Sequence, residues 1–448
     1  PDSVTVSSNG NDATLTFADG HTLRLSNQVA TWQASDSANQ YGVQEVHFAD
    51  GTIWGRQTLR EMAGYYIGTD AGGDTINTGG GTQYLYGYAG DDNLSAGDGN
   101  DTLYGGNGND VINGESGNDT LTGDDGNDTL DGGSAQNTLY GGNGNDTLTL
   151  GSGATDYSYA SGGSGNDVLV ATGLATSSYG SVTLYGEDGS DTFRLDGSGN
   201  VNLYDYVNTT NASDSNIVEL AAGITPDSVT VSSNGNDATL TFADGHTLRL
   251  SNQVATWQAS DSANQYGIQE VHFADGTIWG RQTLREMAGY YIGTDAEGDT
   301  INTGGGTQYL YGYAGDDNLS AGAGNDQLDG GSGDDTLNGG QGSDTLIGGV
   351  GIDTFKWDLS DVGSVGATAF DTVQNFSTSD HDIIDLSDLL DGANNYNLFV
   401  SSGTNTTIHL TDVVGQEIQT IVLEGYGTSD TAATMLQNLL RANETFTG

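Results

Sequence analysis

The chain has 448 residues and carries 61 Asp and Glu against 9 Lys and Arg, a formal net charge of −52. Without a basic patch such a polyanion repels nucleic acid and anionic membranes, which excludes both as general partners. Cysteine is absent and no run of 18 apolar residues exists, so disulfide frameworks, thiolate metal or redox sites and a helical membrane span are excluded as well.

Residues 1–67 alternate apolar and polar side chains like strands, at Val4-Thr5-Val6, Ala13-Thr14-Leu15-Thr16-Phe17 and Thr22-Leu23-Arg24-Leu25. Asn9-Gly10, Asp19-Gly20 and Asp50-Gly51 supply hairpin turns. One or two helical turns are predicted from Arg56 to Met62, with Thr58, Leu59 and Met62 near one face. Trp32, Phe48, Trp54, Tyr65 and Tyr66 form either a small core plus caps on the ends of a repeat solenoid, the favoured reading, or a sugar-stacking platform.

From Thr69 the pattern changes to a repeat of period nine, G-G-x-G-x-D-x-U-x with U a large apolar residue, best seen in residues 105–113. Counted in nines, the sixth position reads Asp74, Gln83, Asp92, Asp101, Asp110, Asp119, Asp128, Asn137 and Asp146. The eighth reads Ile76, Leu85, Leu94, Leu103, Ile112, Leu121, Leu130, Leu139 and Leu148. Isolated units follow at Asp167 and Asp191. A flexible Gly/Asp linker would explain the composition, but not an acidic and an apolar position held in phase over successive units.

This spacing has a physical logic. The x-U-x triplet makes a short strand with its central side chain inward, and the six residues before it make a turn in which glycine permits positive φ and close carbonyl approach. Two units make one flattened coil, so alternate units stack at the strand spacing of about 4.8 Å, with Asp110 between Asp92 and Asp128. Carboxylate and carbonyl oxygens then face each other between coils, the hard, adaptable oxygen shell that Ca²⁺ takes more readily than Mg²⁺. About 50 of the acidic residues are Asp, because Glu occupies only 11 positions, and roughly ten Ca²⁺ ions would offset about 20 of these charges.

Residues 226–326 repeat residues 1–101 with three differences, Val43/Ile268, Gly72/Glu297 and Asp98/Ala323. The abrupt start at Pro1 reads as part of something longer. The second array gives Asp299, Gln308, Asp317, Asp326, Asp335, Asp344 and Asp353 at the sixth position. Candidate metal ligands are therefore Asp74, Asp92, Asp101, Asp110, Asp119, Asp128, Asp146, Asp167, Asp191, Asp299, Asp317, Asp326, Asp335, Asp344 and Asp353. With them go the fourth-position glycines Gly90, Gly99, Gly108, Gly117, Gly126, Gly144, Gly324, Gly333, Gly342 and Gly351. Gln83, Gln308 and Asn137 break the pattern and mark weak or missing sites. The tail, 357–448, carries strand-like runs around Ile383, Phe399, Ile408 and Val422 and a short terminal helix predicted over 435–440; its strands would cover the open edge of the coil.

These residues resemble the RTX (repeats-in-toxin) proteins of Gram-negative bacteria. The nonapeptide arrays carry the most specific likeness; residues 1–67 look like the haemolysin-type calcium-binding-related module, and the tail is similar to type I secretion C-terminal domains, notably those ending large adhesins. The fold expected is all-β, with calcium-binding parallel β-roll (β-solenoid) arrays at 68–213 and 293–356, small β-rich modules at 1–67 and 214–292, and a C-terminal β-rich cap with a short helix at 357–448. The resemblance implies export through type I secretion machinery from an uncleaved C-terminal signal, folding on external calcium, and a secreted or cell-surface location. Six His without paired zinc spacing, no Cys and no G-x-S-x-G elbow give no reason to expect catalysis. An adhesin or matrix protein is the leading reading; the alternatives are the noncatalytic tail of an exoenzyme or toxin, and a self-assembling surface-layer or fibre subunit.

Overall fold

The computed structural model describes residues 4–9, 12–26, 44–69, 72–175, 180–205, 214–234, 236–253, 267–294, 297–363, 368–390, 396–402, 404–412 and 414–425. Trp32 and the terminal helix expected over 435–440 lie outside the described residues. The chain divides into two compact units, one made by residues 1–253 and 265–281 and the other by the rest.

In the first unit the chain opens with an antiparallel sheet of β1 (Val4–Asn9), β2 (Asp12–Phe17) and β3 (Thr22–Leu25). Beside it lies a hairpin of β4 (Glu45–His47) and β5 (Ile53–Gly55). Helix α1 (Arg56–Met62) follows, and β6 (Tyr65–Ile67) starts the roll by pairing in parallel with Tyr84–Ala89. Val4, Ala13, Leu15, Leu25, Trp54 and Leu59 form the core of this module. On α1 only Leu59 is buried, while Met62 stands 41% exposed, so the expected apolar face is narrower than the sequence suggests. Trp54 is in the core with Phe48 edge-on at 4.5 Å, and Tyr65 stacks on Tyr84 at 4.7 Å, which is the packing role rather than a shared outward platform.

The roll itself is two parallel sheets. One passes through Tyr84–Ala89, Thr102–Asn107, Thr120–Asp125 and Thr138–Asn143; the other through Asn93–Ser95, Val111–Asn113, Thr129–Asp131 and Thr147–Leu150. Each strand pairs with the one a full coil away, Leu103 against Leu121 and Ile112 against Leu130. Leu85, Leu103, Leu121 and Leu139 from one sheet and Leu94, Ile112, Leu130 and Leu148 from the other are wholly buried. Each such side chain contributes about 1.5–3 kcal/mol relative to exposure. The two sheets differ in a way that period nine hides: strands of the first run six residues, into the glycine pair of the next unit, whereas most of the second run three.

The roll ends by recruiting the second module. Thr247–Leu250 pairs in parallel with Val201–Tyr204, and Glu270–His272 with Ile217–Leu220. In the second unit a like roll is built on Leu310, Leu319, Leu328, Leu337, Leu346 and Phe355. Ala369–Gln374 and Ile383–Asp385 continue its two sheets; Glu417–Leu423 adds to the first in parallel, and the sheet then turns antiparallel through Thr406–Thr411 and Asn397–Ser402. The tail strands thus extend and finish the roll as the sequence suggests. Among the described residues no helix is long and apolar enough to cross a membrane.

Candidate metal centre: two carboxylate ladders

The coil brings the sixth-position residues into two ladders in each array. In the first array one ladder runs Asp74, Asp92, Asp110, Asp128, Asp146, Asp167 and Asp191. Along it each residue's backbone N–H donates to Oδ1 of the next at 2.6–2.8 Å. The other runs Gln83, Asp101, Asp119 and Asn137, with the same backbone bond at 2.7–3.0 Å. In the second array Asp299, Asp317, Asp335 and Asp353 form one ladder, and Gln308, Asp326 and Asp344 the other. Every predicted aspartate is thus found in register with its neighbours.

Oδ1 is therefore occupied by the backbone, and the chemistry is left to Oδ2. At the ladder ends a protein donor reaches it: Thr69 N–H to Asp74 and Thr294 N–H to Asp299, each at 2.6 Å. In the interior, Oδ2 of Asp92, Asp101, Asp110, Asp119, Asp128, Asp146, Asp167, Asp191, Asp317, Asp326, Asp335 and Asp344 is buried with no hydrogen-bond donor among the described residues. A buried, undonated carboxylate oxygen is expensive unless a proton or a cation meets it.

What surrounds that oxygen is set by glycine. A Cβ on first-position Gly123 would lie 2.2 Å from Asp128 Oδ2 and 2.6 Å from the Gly141 carbonyl oxygen of the next coil, so the missing side chain leaves a cradle walled by a carboxylate and a carbonyl. The cradle recurs at Gly87, Gly312 and Gly330. At the fourth position Gly90, Gly99, Gly108, Gly117, Gly126, Gly144, Gly333, Gly342 and Gly351 adopt positive φ. They also let coils touch: a Cβ on Gly126 would sit 1.7 Å from Gly108 O, and one on Gly324 2.1 Å from Gly306 O. The sequence singles out the fourth-position glycines, whereas the cradle beside the orphaned carboxylate lies at the first-position glycines.

Burial is the largest cause that pushes these carboxyls up, and carboxylates one coil away add to it for most. Asp110, Asp146 and Asp353 rise to about 6, Asp119, Asp128, Asp191 and Asp335 to about 7, and Asp167 and Asp344 to about 8. Asp92, Asp101, Asp317 and Asp326 are raised for the same reason. Metal-free, the ladder resists full ionisation near neutrality. A divalent ion removes that resistance, and the donors available are hard oxygens throughout, which fits Ca²⁺. Among the described residues no three acidic or His side chains gather about one point, so an ion held here would draw on one or two carboxylates together with backbone carbonyls.

Three features of the ladders escape the period-nine reading. Asn216 extends the first by accepting the Asp191 N–H at 2.6 Å, and Asp371 and Asp382 extend those of the second array by accepting the Asp344 and Asp353 N–H groups. The fifth position forms a parallel, exposed ladder, Asp91 to Asn109 to Asn127 to Asn145 to Asn166, each side chain accepting the next coil's N–H. Its signal was in the sequence, since that position reads Asp91, Asn100, Asn109, Asn118, Asn127 and Asn145 in the first array. Asn137 breaks the charge of its ladder but not its geometry, since its Oδ1 accepts the Asp119 N–H at 3.0 Å.

The sequence family described as RTX calcium-binding nonapeptide repeat (4 copies) matches residues 69–103, 86–121, 122–155, 176–201, 294–328 and 320–355. Among solved structures, the AlgE6R3 subunit of the Azotobacter vinelandii mannuronan C5-epimerase is 31% identical over 29% of this chain and 72% of that one, with a TM-score of 0.16. The extracellular lipase LipA from Serratia marcescens is 14% identical over 71% of this chain and 40% of that one, with a TM-score of 0.18. No curated protein matches the chain.

Proposed function

Since the chain belongs to the RTX proteins, whose nonapeptide repeats bind calcium, we propose that it is the calcium-folded, noncatalytic C-terminal region of a larger exported protein. The observation that carries the reading is the interior run of buried Oδ2 atoms with no donor. In this reading the fifteen sixth-position aspartates and the carbonyls of the glycine turns hold calcium, roughly ten ions in all. The two arrays are calcium-dependent rods, and the tail from 357 onward is the address read by type I secretion machinery.

The electrostatics explain why such a chain suits that route. With little calcium, as in a cytosol, the like-charged chain repels itself and stays threadable; at millimolar external calcium, binding selects the coiled state by mass action. A calcium-stiffened rod of this kind suits an adhesin or matrix protein at the surface of a Gram-negative bacterium, where it spaces a binding domain from the cell. Two measurements test the proposal. Bound calcium counted after dialysis against buffered free calcium should reach several ions per chain, and a stoichiometry of one or none would overturn the calcium assignment. Removing residues 357–448 should abolish export by a cell carrying a type I exporter, and unchanged export would overturn the secretion assignment.

A further inference from the structure

Residues 1–67 and their duplicate occupy different surroundings, and the difference is confined to one side of the module. In the duplicate, Leu248, Leu250 and Val271 are wholly buried and Phe273 is 4% exposed, because the final coil of the first array lies against them. Val201 pairs with Leu248, Leu203 with Leu250, and Val218 with Val271. In the first copy the equivalent Leu23 is 44% exposed, and Val46 and Phe48 are only partly buried. There β3 pairs with β2 alone and β4 with β5 alone among the described residues. Away from this edge the copies agree: Ile53 and Ile278 are each 52% exposed, and Met62 and Met287 each 41%. The same side chains therefore cover a roll end in one copy and, in the other, line an apolar double strand edge that no described strand pairs with.

We infer that the edge of β3 and β4 is a receiving face for the last coil of a nonapeptide roll, supplied by a segment N-terminal to this module in the same polypeptide, as array one lies N-terminal to the duplicate. The duplicate shows the occupant's chemistry. Two short parallel strands of alternating apolar residues, like Val201–Tyr204 and Ile217–Leu220, present apolar side chains to Leu23 and Val46, as Val201 and Val218 do to Leu248 and Val271. A tyrosine stands opposite Arg24, as Tyr204 hydroxyl accepts from Arg249 at 3.3 Å. An amide or carboxamide aligns with the strand start, as Gln269 Oε1 accepts the Asn216 N–H at 2.5 Å. Pairing closes both sheet edges at once, which removes an aggregation-prone surface and continues the two-sheet roll without a break. The module is then a splice that ends one array and, through α1 and β6, starts the next.

The inference rests on calcium folding the arrays, and the test separates the two. Residues 68–225 are added ahead of Pro1 of the full chain, and parent and extended chains are compared in calcium. Because the chain has no cysteine, Leu23→Cys and Leu248→Cys variants report each edge by maleimide labelling. Leu23→Cys should label readily in the parent and at least about tenfold more slowly in the extended chain, where labelling waits on local opening. Leu248→Cys should be protected in both. Folded extended chains whose Leu23→Cys still labels at the parent rate overturn the docking alone; chains that stay unfolded in calcium overturn it together with the calcium reading. Protection of Leu23→Cys already in the parent, rising with protein concentration, would assign the edge to a second copy and overturn the cis arrangement. If the cysteine variants fold poorly, amide exchange of residues 23–25 and 45–47 in the unsubstituted chains decides the same question.

Discussion

Replacing one interior carboxylate by its amide should change stability in opposite directions with and without calcium. Asp128 is 2% exposed; its Oδ1 accepts the Asp110 N–H at 2.7 Å, and its Oδ2 has no donor. Burial, then the neighbouring Asp146, Asp110 and Asp124, raises its carboxyl from 3.8 to about 7. A folded-state value above the unfolded one means that the contribution to stability is intact below the unfolded value and is lost as pH rises through the folded one. Above neutrality the metal-free coil therefore carries a penalty of about 4 kcal/mol at this site. Asp128→Asn removes the penalty while keeping the Oδ1 bond, as Asn137 does for Asp119. The new amide also faces the Gly141 carbonyl that bounds the cradle. In chelator the variant should fold at higher pH than the parent, followed by far-UV circular dichroism across an acid titration. In calcium it loses a ligand charge, so it should melt lower and need more calcium to fold. A shift of the same sign in both conditions would refute the idea that this carboxylate is held for a cation.

The raised carboxyls, tight glycine turns and buried leucines of the coil set further expectations. In chelator the parent chain should gain β structure as pH falls from about 8 toward 4, because Asp167, Asp344, Asp119 and their neighbours take up protons in the coiled state. A chelated chain that loses β structure over that range would contradict it. Gly126→Ala places a Cβ 1.7 Å from Gly108 O at φ +141, and the backbone strain alone costs about 1–3 kcal/mol, read as a lower melting temperature in calcium. Leu130→Ala empties a fully buried site and should cost about 2–5 kcal/mol in calcium by urea denaturation. Gln83→Asp replaces a buried amide whose Oε1 has no donor and should raise the count of bound calcium in equilibrium dialysis. An unchanged count would show that charge at Gln83 is not what limits its site.

Much of this architecture is legible in the residues because each coil must solve the same problem. A buried Leu at the eighth position and a carboxylate at the sixth recur at one spacing, so two sheets and an acidic ladder follow from stacking alone. The hairpins at Asp19-Gly20 and Asp50-Gly51 and the turn of helix at Arg56 are equally local, fixed by turn chemistry and a short apolar pattern. What period nine hides is the difference between alternate units, since odd and even repeats face opposite sheets and only one set extends through its glycine pair. The distant pairings are hidden too: nothing near Leu248 announces that it will meet Val201, and Asp371 and Asp382 continue the ladders from sequence that has left the repeat. The aromatic residues of the first module read ambiguously because a ring's chemistry is the same in a core and on a platform. Their surroundings decide, and Trp54 is in the core.

On the proposed reading, the ladders of buried carboxylates make folding conditional on calcium. Calcium titrated into the chelated full chain at neutral pH, followed by far-UV circular dichroism with magnesium as control, tests it most directly. A cooperative coil-to-β transition is expected at submillimolar to millimolar calcium, and magnesium should not produce it. A chain already rich in β structure in excess chelator at neutral pH would contradict it.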